Sequence, residues 1–344
     1  MSAMPETAGE PLSTRPVYTP QQLHAVYERV NLPSRFRYEP GDFSREVVRH
    51  QDGHGFLWAL QRHTLASVPF ENLELHYSAH HQISIHADAL YNKIVGQGTG
   101  RGGYCLENNW WLGTVLRSVG FDVMTVGARV NSQIHPLGVG NGRACYGGFS
   151  HIVNLVTIRG QTYLVDVGFG AGGPTHPLEL VPDRVELNVP PSQSVRLRHD
   201  AIPENEHRQN KLWILERRDE DRENAQWQPL YCFDDAICFL PQDFEIMNYF
   251  SSTHRQSFFT FKIVCSKALL SESGDEIVGE VVMNDNEVHR NVGGKKETLE
   301  KLRTEPQRIE ALRKYFGIQL GEAAAAGIRG MVSELRTTAP IYPD

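Results

Sequence analysis

Apolar residues recur every three or four positions near the start of the chain, which is the spacing of one face of an α-helix. In residues 19–30, "TPQQLHAVYERV", the apolar face consists of Leu23, Val26, Tyr27 and Val30. Thr19 is the expected N-cap, Pro20 the first helical residue and Gln22 the reciprocal partner of the cap. The pattern therefore predicts a helix that begins at Pro20.

Two further helices are predicted before residue 121. Residues 56–67, "FLWALQRHTLAS", have helical spacing, and another helix is predicted from Cys105 through "LENNWWLGTVLRSV". Gly120 follows the last residue of that stretch and is a typical helix stop. The first third of the chain is therefore predicted to be mainly helical.

From residue 121 onward, β-branched residues dominate between glycines, a pattern typical of strands. The segments "FDVMTVGARV", "FSHIVNLVTI" and "QTYLVDVGF" have this composition. The last two are separated only by Arg159 and Gly160, which predicts a hairpin with a two-residue turn. Ile158 would then pair with Gln161.

The remaining third mixes both patterns. Residues 183–228 are polar and are expected to form long loops over a few strands, whereas "FFTFKIVCSKALL" and the alternation after residue 276 predict further strands. Thr304 and Gln307 form a capping box ahead of "RIEALRKYF". The pattern as a whole predicts an α+β fold.

Composition restricts the function classes. The 344 residues carry a net charge of −7, which argues against a nucleic-acid surface. There is no apolar run of eighteen residues for a membrane span, and the first sixteen residues lack the pattern of a signal peptide. Five scattered cysteines without a CxxC motif favour free thiols, and a cytoplasmic location is expected.

Residues 101–111, "RGGYCLENNWW", contain the main candidate for chemistry. A helix N-terminus favours the reactive thiolate of a cysteine such as Cys105, and N–H groups of Gly102 and Gly103 could bind an oxyanion. The alternative is that Cys105 is a small buried apolar residue, as free cysteines often are. A nearby base would decide between the two.

The predicted hairpin supplies such a base. With the two-residue turn, His151 faces Gly168, and Asp166 is a diagonal neighbour on the same face of the sheet. A loop longer by one residue would reverse the face. Cys105, His151 and Asp166 are therefore predicted to form a nucleophile, a base and an orienting carboxylate.

Five segments together resemble the arylamine N-acetyltransferase family. They are "VPFENL", "RGGYCLEN", "SHIVNLV", "LVDVGFG" and "PQDFEIMNYFSSTHRQSFFT", in the family's order and spread over about residues 20–290. The length of the polar stretch 183–228 points to a fungal member. The resemblance implies a helical bundle, a β-barrel and an α/β lid around a catalytic core like that of cysteine proteases. The implied division is a disordered tail at 1–18, a helical bundle carrying the nucleophile at 19–120, the barrel at 121–240, the lid at 241–320 and a C-terminal tail at 321–344.

The resemblance also implies a reaction and its residues. An acyl group passes from acyl-coenzyme A to Cys105 and then to an arylamine or arylhydrazine, a detoxification reaction that needs no permanently bound cofactor and no metal. The residues implied for these roles are Gly147, Gly148 and Phe250 for coenzyme A, Val130, Ser150 and Phe169 for the substrate, and Glu71 with Arg101 as a structural brace.

Two departures from the family pattern stand out, and the second touches a segment that faces coenzyme A and so affects the donor. Asn108 stands where many relatives have Gln, and Arg255 stands where Pro is common. The donor is expected to be acetyl-coenzyme A, with malonyl- or propionyl-coenzyme A as alternatives. Arg129 or Arg255 could meet a malonyl carboxylate.

Three other signals are set aside. "GFGAGG" at 168–173 matches a dinucleotide-binding fingerprint, but "PTHPL" follows where that fingerprint needs a helix. His76 and His80 could form a metal pair, yet a solvated loop is preferred because no further ligand is near. Cys232 and Cys238 lack metal spacing and are expected in the core.

Two other functions remain open at this point. A papain-like or transglutaminase-like hydrolase would use the same three residues on peptides, and a silent binding protein would not use them at all.

Overall fold

The computed structural model of the protein describes residues 15–38, 52–134, 144–220 and 225–335. Most of the predicted tail 1–18 lies outside these ranges. Tyr18 is described and is buried, with its hydroxyl donating to the Ala87 carbonyl at 2.9 Å. None of the helices in these ranges is long and apolar enough to cross a membrane.

Helices and strands occur in the order that the apolar pattern predicts. The helices are α1 Pro20–Arg29, α2 Asp52–Ser67, α3 Ala87–Tyr91, α4 Cys105–Val119, α5 Pro241–Thr253, α6 Glu305–Ala311 and α7 Glu322–Ala326. The strands are β1 Phe70–Glu71, β2 Asp122–Asn131, β3 Tyr146–Ile158, β4 Gln161–Val165, β5 Leu178–Glu179, β6 Glu186–Val189, β7 Gln193–Asp200, β8 Leu212–Asp219, β9 Gln228–Phe233, β10 Val264–Leu270, β11 Ile277–Asn284, β12 Glu287–Val292 and β13 Lys295–Lys301. The α+β prediction is confirmed.

Helix α1 begins as predicted. The Thr19 hydroxyl accepts from the Gln22 backbone N–H at 3.3 Å, and the Gln22 side chain accepts from the Thr19 N–H at 2.8 Å. These two bonds satisfy donors that a helix start leaves open. Leu23, Val26 and Tyr27 are buried against the main core.

Strands β2 to β9 form one eight-stranded sheet, in the order β5-β4-β3-β2-β9-β8-β7-β6. The sheet does not close, because β5 and β6 are edge strands, and it forms a half-barrel instead of a closed barrel. As expected, a few strands lie in residues 183–228: β6, β7 and β8 occupy much of this segment and complete the sheet. Polar side chains alternate there with buried ones such as Val195 and Leu197, as in a sheet with one solvated face.

A second sheet of five strands has the order β1-β10-β11-β12-β13. Its strand β1 comes from the helical first third of the chain, since Phe70 pairs with Ser266 and Glu71 with Cys265. One face of this sheet packs on a core that includes Val281, Met283, Leu312 and Phe316. The other face borders the cavity described below.

The segment assigned to a C-terminal tail, 321–344, is packed as far as residue 335, where the description ends. Ile328 and Ser333 are buried. The Ser333 carbonyl accepts from the buried guanidinium of Arg308 at 2.7 Å, and its hydroxyl lies 2.8 Å from Nδ1 of His76. These contacts fasten the segment to the second sheet's core.

Candidate active site

Helix α4 begins at the candidate nucleophile. Tyr104 has extended backbone and precedes the helix, and its N–H donates to the Glu107 carboxylate at 3.1 Å. Cys105 is the first helical residue and is 5 % exposed. Its sulfur lies 3.4 Å from the Ser150 carbonyl. The sulfur is therefore at the sheet, not sealed within the helical core.

The hairpin of β3 and β4 forms as predicted. Arg159 and Gly160 have φ of 52° and 78°, and Ile158 pairs with Gln161. Positive φ at both turn residues is the geometry of the two-residue turn that matches strand twist. As a result, Nε2 of His151 lies 2.9 Å from Oδ2 of Asp166, and both side chains are buried.

A β-bulge precedes His151. Strand β2 pairs Ala128 with His151 but Arg129 with Phe149, so Ser150 is the extra residue. A bulge re-aims the side chains beside it and is common next to active sites. Here it also directs the Ser150 carbonyl toward the sulfur.

Asn109 completes the surroundings of Asp166. Its amide donates to Asp166 Oδ1 at 2.7 Å and to the Ile152 carbonyl at 2.6 Å, while its own oxygen accepts from the Val167 N–H at 2.9 Å. Asn109 was not among the predicted site residues. Its position one helical turn after Cys105, on the same face of α4, could have indicated that it lies in the site. His151, Asp166 and Asn109 are called the catalytic cluster below.

The charges in this cluster reinforce each other. Burial alone would lower the pKa of His151, but the charge of Asp166 and hydrogen bonds to Asp166 and Cys105 raise it to about 10. Burial would raise the pKa of Asp166, yet His151, Asn109 and the Gly168 N–H hold it below its ordinary value. At neutral pH the pair is therefore an imidazolium held by a carboxylate.

A second group of buried charges lies beneath the loop that leads to Cys105. Arg101 Nε donates to Glu71 Oε1 at 2.8 Å, and Glu71 also accepts from the Gly102 N–H at 3.2 Å. Lys93 donates to Glu107 at 2.7 Å. Glu71, Lys93, Arg101 and Glu107 are called the loop cluster. Glu71 and Arg101 thus form the contact expected of a brace.

Burial acts differently on its two acids. For Glu71, burial would raise the pKa, but Arg101 and Lys93 lower it to about 2. For Glu107, burial dominates over Lys93 and raises the pKa to about 7. The loop cluster therefore holds one fully ionised carboxylate and one that is close to titration at neutral pH.

The expected oxyanion donors are already engaged. The Gly102 N–H donates to Glu71, and the Gly103 N–H donates to the Pro69 carbonyl at 3.4 Å. The prediction that these two groups bind an oxyanion is therefore wrong. Both glycines instead allow close backbone contact, since a Cβ at Gly102 would meet the Pro69 oxygen at 1.9 Å.

A cavity of about 860 Å³ opens at the sulfur, within the size range of small-molecule sites. Besides Cys105 and His151, its walls include four residues expected at substrate or coenzyme A: Val130, Ser150, Phe169 and Phe250. Gly147 and Gly148 are exposed on strand β3 and are not among its lining residues.

The two arginines considered for a malonyl carboxylate lie elsewhere. Arg129 stacks over the Phe149 ring at 4.0 Å and donates to the Gly147 carbonyl at 2.9 Å. Arg255 is exposed and lies two residues after the end of α5. Neither Arg129 nor Arg255 lines the cavity. Asn108 is buried and donates to the Pro69 carbonyl at 3.3 Å. It is not among the residues that line the cavity.

The signals set aside can now be placed. The glycine run at 168–173 leads to strand β5, not to a helix, as expected. His76 does not lie in a solvated loop: it is buried and bonded to the Phe259 carbonyl and Ser333, so that prediction is wrong for it. Cys232 is in the core as predicted, but Cys238 is exposed. In the described ranges, no group of three or more His, Cys, Asp or Glu is arranged to hold a metal.

Comparisons with known proteins give one consistent result. A sequence profile described as N-acetyltransferase matches residues 55–325. The N-malonyltransferase FDB2 of Gibberella moniliformis is 34% identical over 324 residues, which is 90% of this chain and 92% of that protein. The arylamine N-acetyltransferase of Mycolicibacterium smegmatis is 29% identical over 92% of this chain and 98% of its own.

Solved structures agree with the fold. The arylamine N-acetyltransferase of Salmonella typhimurium superposes with a TM-score of 0.68 at 24% identity, covering 90% of this chain and 98% of its own. The Mycobacterium marinum arylamine N-acetyltransferase in complex with CoA gives 0.66 at 25% identity, covering 90% and 99%.

Proposed function

The chain belongs to the arylamine N-acetyltransferase family, acyl-coenzyme A-dependent acyltransferases, and on that premise we propose that Cys105 carries the acyl group. The observation that supports this role is the 2.9 Å contact of His151 with Asp166 beside a cavity that exposes the Cys105 sulfur. A nucleophile, a base and a group that orients the base are the parts that acyl transfer requires.

The first step would move the acyl group to the protein. Because His151 already holds the proton as an imidazolium, the Cys105 sulfur attacks the thioester carbonyl carbon as the thiolate. The bond between that carbon and the coenzyme A sulfur breaks, and coenzyme A leaves as a thiol after taking a proton from His151, which becomes neutral. One thioester replaces another, so little free energy is lost.

The second step would form the amide. The nitrogen of the arylamine attacks the acyl-cysteine carbonyl, His151 accepts the amine proton, and the Cys105 sulfur leaves with its electron pair. Asp166 keeps Nε2 of His151 occupied, so that Nδ1 is the nitrogen available to the sulfur. The N–H of Cys105 has no intrahelical acceptor at this position and would stabilise the oxyanion.

For the donor, we propose malonyl-coenzyme A ahead of acetyl- or propionyl-coenzyme A. Support comes from the similarity to N-malonyltransferases FDB2 over nine-tenths of the chain. Coenzyme A release, measured with the three thioesters at equal concentration and a common arylamine, tests this. Faster release from acetyl-coenzyme A would contradict the malonyl proposal and leave the acyl-cysteine mechanism intact.

The layout supports the broader part of the proposal. A helix that carries the cysteine packs on a sheet that carries the histidine, with the aspartate directly after strand β4, an arrangement like that of cysteine proteases. We also propose that the chain is divided into segments 19–120, 121–240 and 241–320. Strand β1 belongs to the first segment but pairs with the five-stranded sheet of the third segment.

Intact-mass analysis tests the acyl-cysteine directly. After incubation with malonyl-coenzyme A, wild-type protein should gain one malonyl group, and Cys105→Ala should gain none. Cys145→Ala is the matched control, because Cys145 is exposed and lies outside the cavity lining. If Cys105→Ala gains the same adduct as wild type, Cys105 is not the residue that carries the acyl group. In a separate assay, cleavage of peptides without release of coenzyme A would favour a hydrolase.

A further inference from the structure

Helix α4 contains a glycine in its interior, Gly113. Glycine is less favourable than alanine in the interior of a helix, so this position calls for a reason. A Cβ at Gly113 would lie 2.5 Å from Oδ1 of Asn154 and 3.2 Å from Oγ1 of Thr125. It would also lie 3.3 Å from Nη1 of Arg117. The missing side chain therefore leaves a notch in the helix surface, at which three polar side chains meet.

Asn154 reaches this notch from strand β3. It is fully buried, although Val153 and Leu155 on either side of it are apolar residues of the main core. Its Nδ2 donates to the Asn109 carbonyl at 2.8 Å, and its Oδ1 accepts from the Thr125 hydroxyl at 2.7 Å. A backbone carbonyl can only accept, so the NH₂ group is the side of the amide that faces the helix.

Arg117 lies at the other end of this arrangement. Its Nη2 donates to Oγ1 of Thr125 at 2.5 Å, and the hydroxyl hydrogen of Thr125 is then free to bond to Asn154. Nε and Nη1 of Arg117 have no hydrogen-bond partner in the described part of the chain. Burial and the nearby charge of Arg15 lower the pKa of Arg117 to about 10, so it remains charged at neutral pH.

The bonds of this chain all run in one direction. Arg117 donates to Thr125, and Thr125 donates to Asn154. Asn154 donates to the carbonyl of Asn109, whose side chain donates to Oδ1 of Asp166 at 2.7 Å. The chain therefore leads from a buried cation to the carboxylate of the catalytic cluster. Hydrogen bonds in low-dielectric surroundings that polarise one another in this way are strengthened.

We propose that Asn154 and Thr125 are positioning residues, which hold Asn109 in the place from which it orients Asp166. The inference rests on the proposed function and extends the catalytic cluster to residues that do not touch the substrate. Neither Asn154 nor Thr125 lines the cavity. They therefore affect the rate of acyl transfer through Asn109, and binding of the donor and of the arylamine does not depend on them.

The backbone contact explains how a residue on β3 can act on Asp166. A side chain is fixed only as well as the backbone that carries it, and Asn154 holds the backbone of Asn109. Strand β3 also carries His151, and Asn154 pairs across the hairpin with Val165, which directly precedes Asp166. Asn154 thus ties together the helix and the two strands that carry or adjoin the catalytic cluster.

Two variants of Thr125 separate the hydrogen bonds from packing, since valine keeps the shape of threonine and serine keeps its hydroxyl. Thr125→Val should lower kcat about fivefold and leave the KM values of the donor and the arylamine within about twofold of wild type. Thr125→Ser should keep kcat within about twofold. If both variants lose kcat equally, packing and not the hydroxyl sets the rate, and the proposal is overturned.

Asn154→Leu removes both bonds of the amide and should also lower kcat about fivefold. Its matched control is Asn131→Leu, because Asn131 is equally buried and donates to the Pro229 carbonyl at 2.8 Å but has no bond to the chain that ends at Asp166. The control should lose stability and keep kcat within about twofold, measured at a temperature where both variants are folded. Equal losses of kcat in the two variants, or no loss in Asn154→Leu, would overturn the proposal.

A measurement without substrate distinguishes this inference from the proposed reaction. The proton between His151 and Asp166 gives a downfield NMR resonance, which is lost in acid when Asp166 is protonated. Burial would raise the pKa of Asp166, but its hydrogen bonds, including that of Asn109, hold it below its ordinary value. A less firmly held Asn109 should therefore move the loss of this resonance to higher pH in Thr125→Val and not in Thr125→Ser.

The two levels of proposal then fail separately. If the resonance shifts as expected but wild-type Cys105 is not acylated, only the reaction is wrong. If Cys105 is acylated and Thr125→Val changes neither kcat nor the resonance, only the positioning role is wrong.

Discussion

Two clusters of buried charged and polar residues lie near Cys105, and they differ in the chemistry of the group that is paired with the carboxylate. In the catalytic cluster, Asp166 holds His151, a base that can give up and regain a proton at the sulfur. In the loop cluster, Glu71 holds Arg101, which stays charged. Both carboxylates are fully ionised and buried.

The comparison shows that similar geometry need not mean similar function. A buried ion pair with a permanent cation mainly fixes the chain, because removing one partner leaves an uncompensated charge. A pair with an imidazole also sets a tautomer and a proton affinity. Changes in the loop cluster should therefore reduce stability first, and changes in the catalytic cluster should reduce turnover first.

The largest effect is expected from Asp166→Asn. His151 loses the charge that raises its pKa and selects its tautomer, so kcat/KM should fall by about 10⁴. Because the buried ion pair also contributes stability, the rate is measured at a temperature where the variant is folded. Asp122→Asn, an exposed aspartate at the start of β2, is the control and should keep its rate within twofold. A full rate in folded Asp166→Asn would contradict the role of the catalytic cluster.

Glu71→Gln should have the next largest effect, and on stability. It leaves Arg101 buried with less compensation, which costs about 3 kcal/mol of unfolding free energy or more, measured by urea denaturation. The control is Glu310→Gln, which breaks an exposed pair with Arg313 and should leave the unfolding free energy close to that of wild type. If both variants lose the same free energy, Glu71 is not a brace.

The contributions of Glu71 and His151 to stability should be lost at opposite ends of the pH scale. The pKa of Glu71 is lowered to about 2, so its contribution is complete above its ordinary pKa of 4.5 and disappears as the pH falls toward 2. This shift corresponds to about 3 kcal/mol. The pKa of His151 is raised to about 10, so its contribution is complete below 6.5 and disappears as the pH rises toward 10.

The measurement is unfolding free energy against pH for wild type, Glu71→Gln and His151→Gln. Glu107, whose raised pKa of about 7 depends partly on the charge of Glu71, adds a destabilising trend between pH 4.5 and 7, so Glu71→Gln is compared with wild type below pH 4.5 and His151→Gln above pH 7. The difference for Glu71→Gln should shrink in acid, whereas that for His151→Gln should shrink in alkali and also in acid, where Asp166 is protonated. A difference for His151→Gln that does not shrink in alkali, or one for Glu71→Gln that does, would break the comparison.

Asn109→Ala should have the smallest effect, and it should reduce both turnover and stability. Its amide orients Asp166 and also ties α4 to β3 and to Val167. We expect kcat to fall about tenfold and the unfolding free energy by about 1 to 3 kcal/mol. A loss of stability without any loss of kcat would show that Asp166 is oriented adequately by the Gly168 N–H alone.

Local rules predicted what depends on neighbouring residues. The capping pair of Thr19 and Gln22 and the turn at Arg159–Gly160 involve contacts over three residues or fewer, and both are confirmed. Because the turn fixes the register of β3 and β4, it was enough to bring His151 and Asp166 together. Two of the three proposed catalytic residues could thus be paired from the sequence.

Contacts between distant residues could not be predicted in this way. Strand β1 has only two residues, and its partners Cys265 and Ser266 lie almost two hundred positions away. His76 is buried by Phe259 and Ser333, which are equally remote. The chain of hydrogen bonds from Arg117 to Asp166 is assembled from helix α4 and strands β2 and β3, so no single segment of sequence shows it.

The extra residue in β3 divides that strand into two parts that are set independently. The part from His151 onward takes its alignment from the Arg159–Gly160 turn, whereas the part before Ser150 follows Arg129 on the neighbouring strand. Mutations and loop-length changes upstream of Ser150 can therefore accumulate without displacing the imidazole. Natural or engineered changes before Ser150 could therefore alter which molecules enter the cavity while His151 keeps its position.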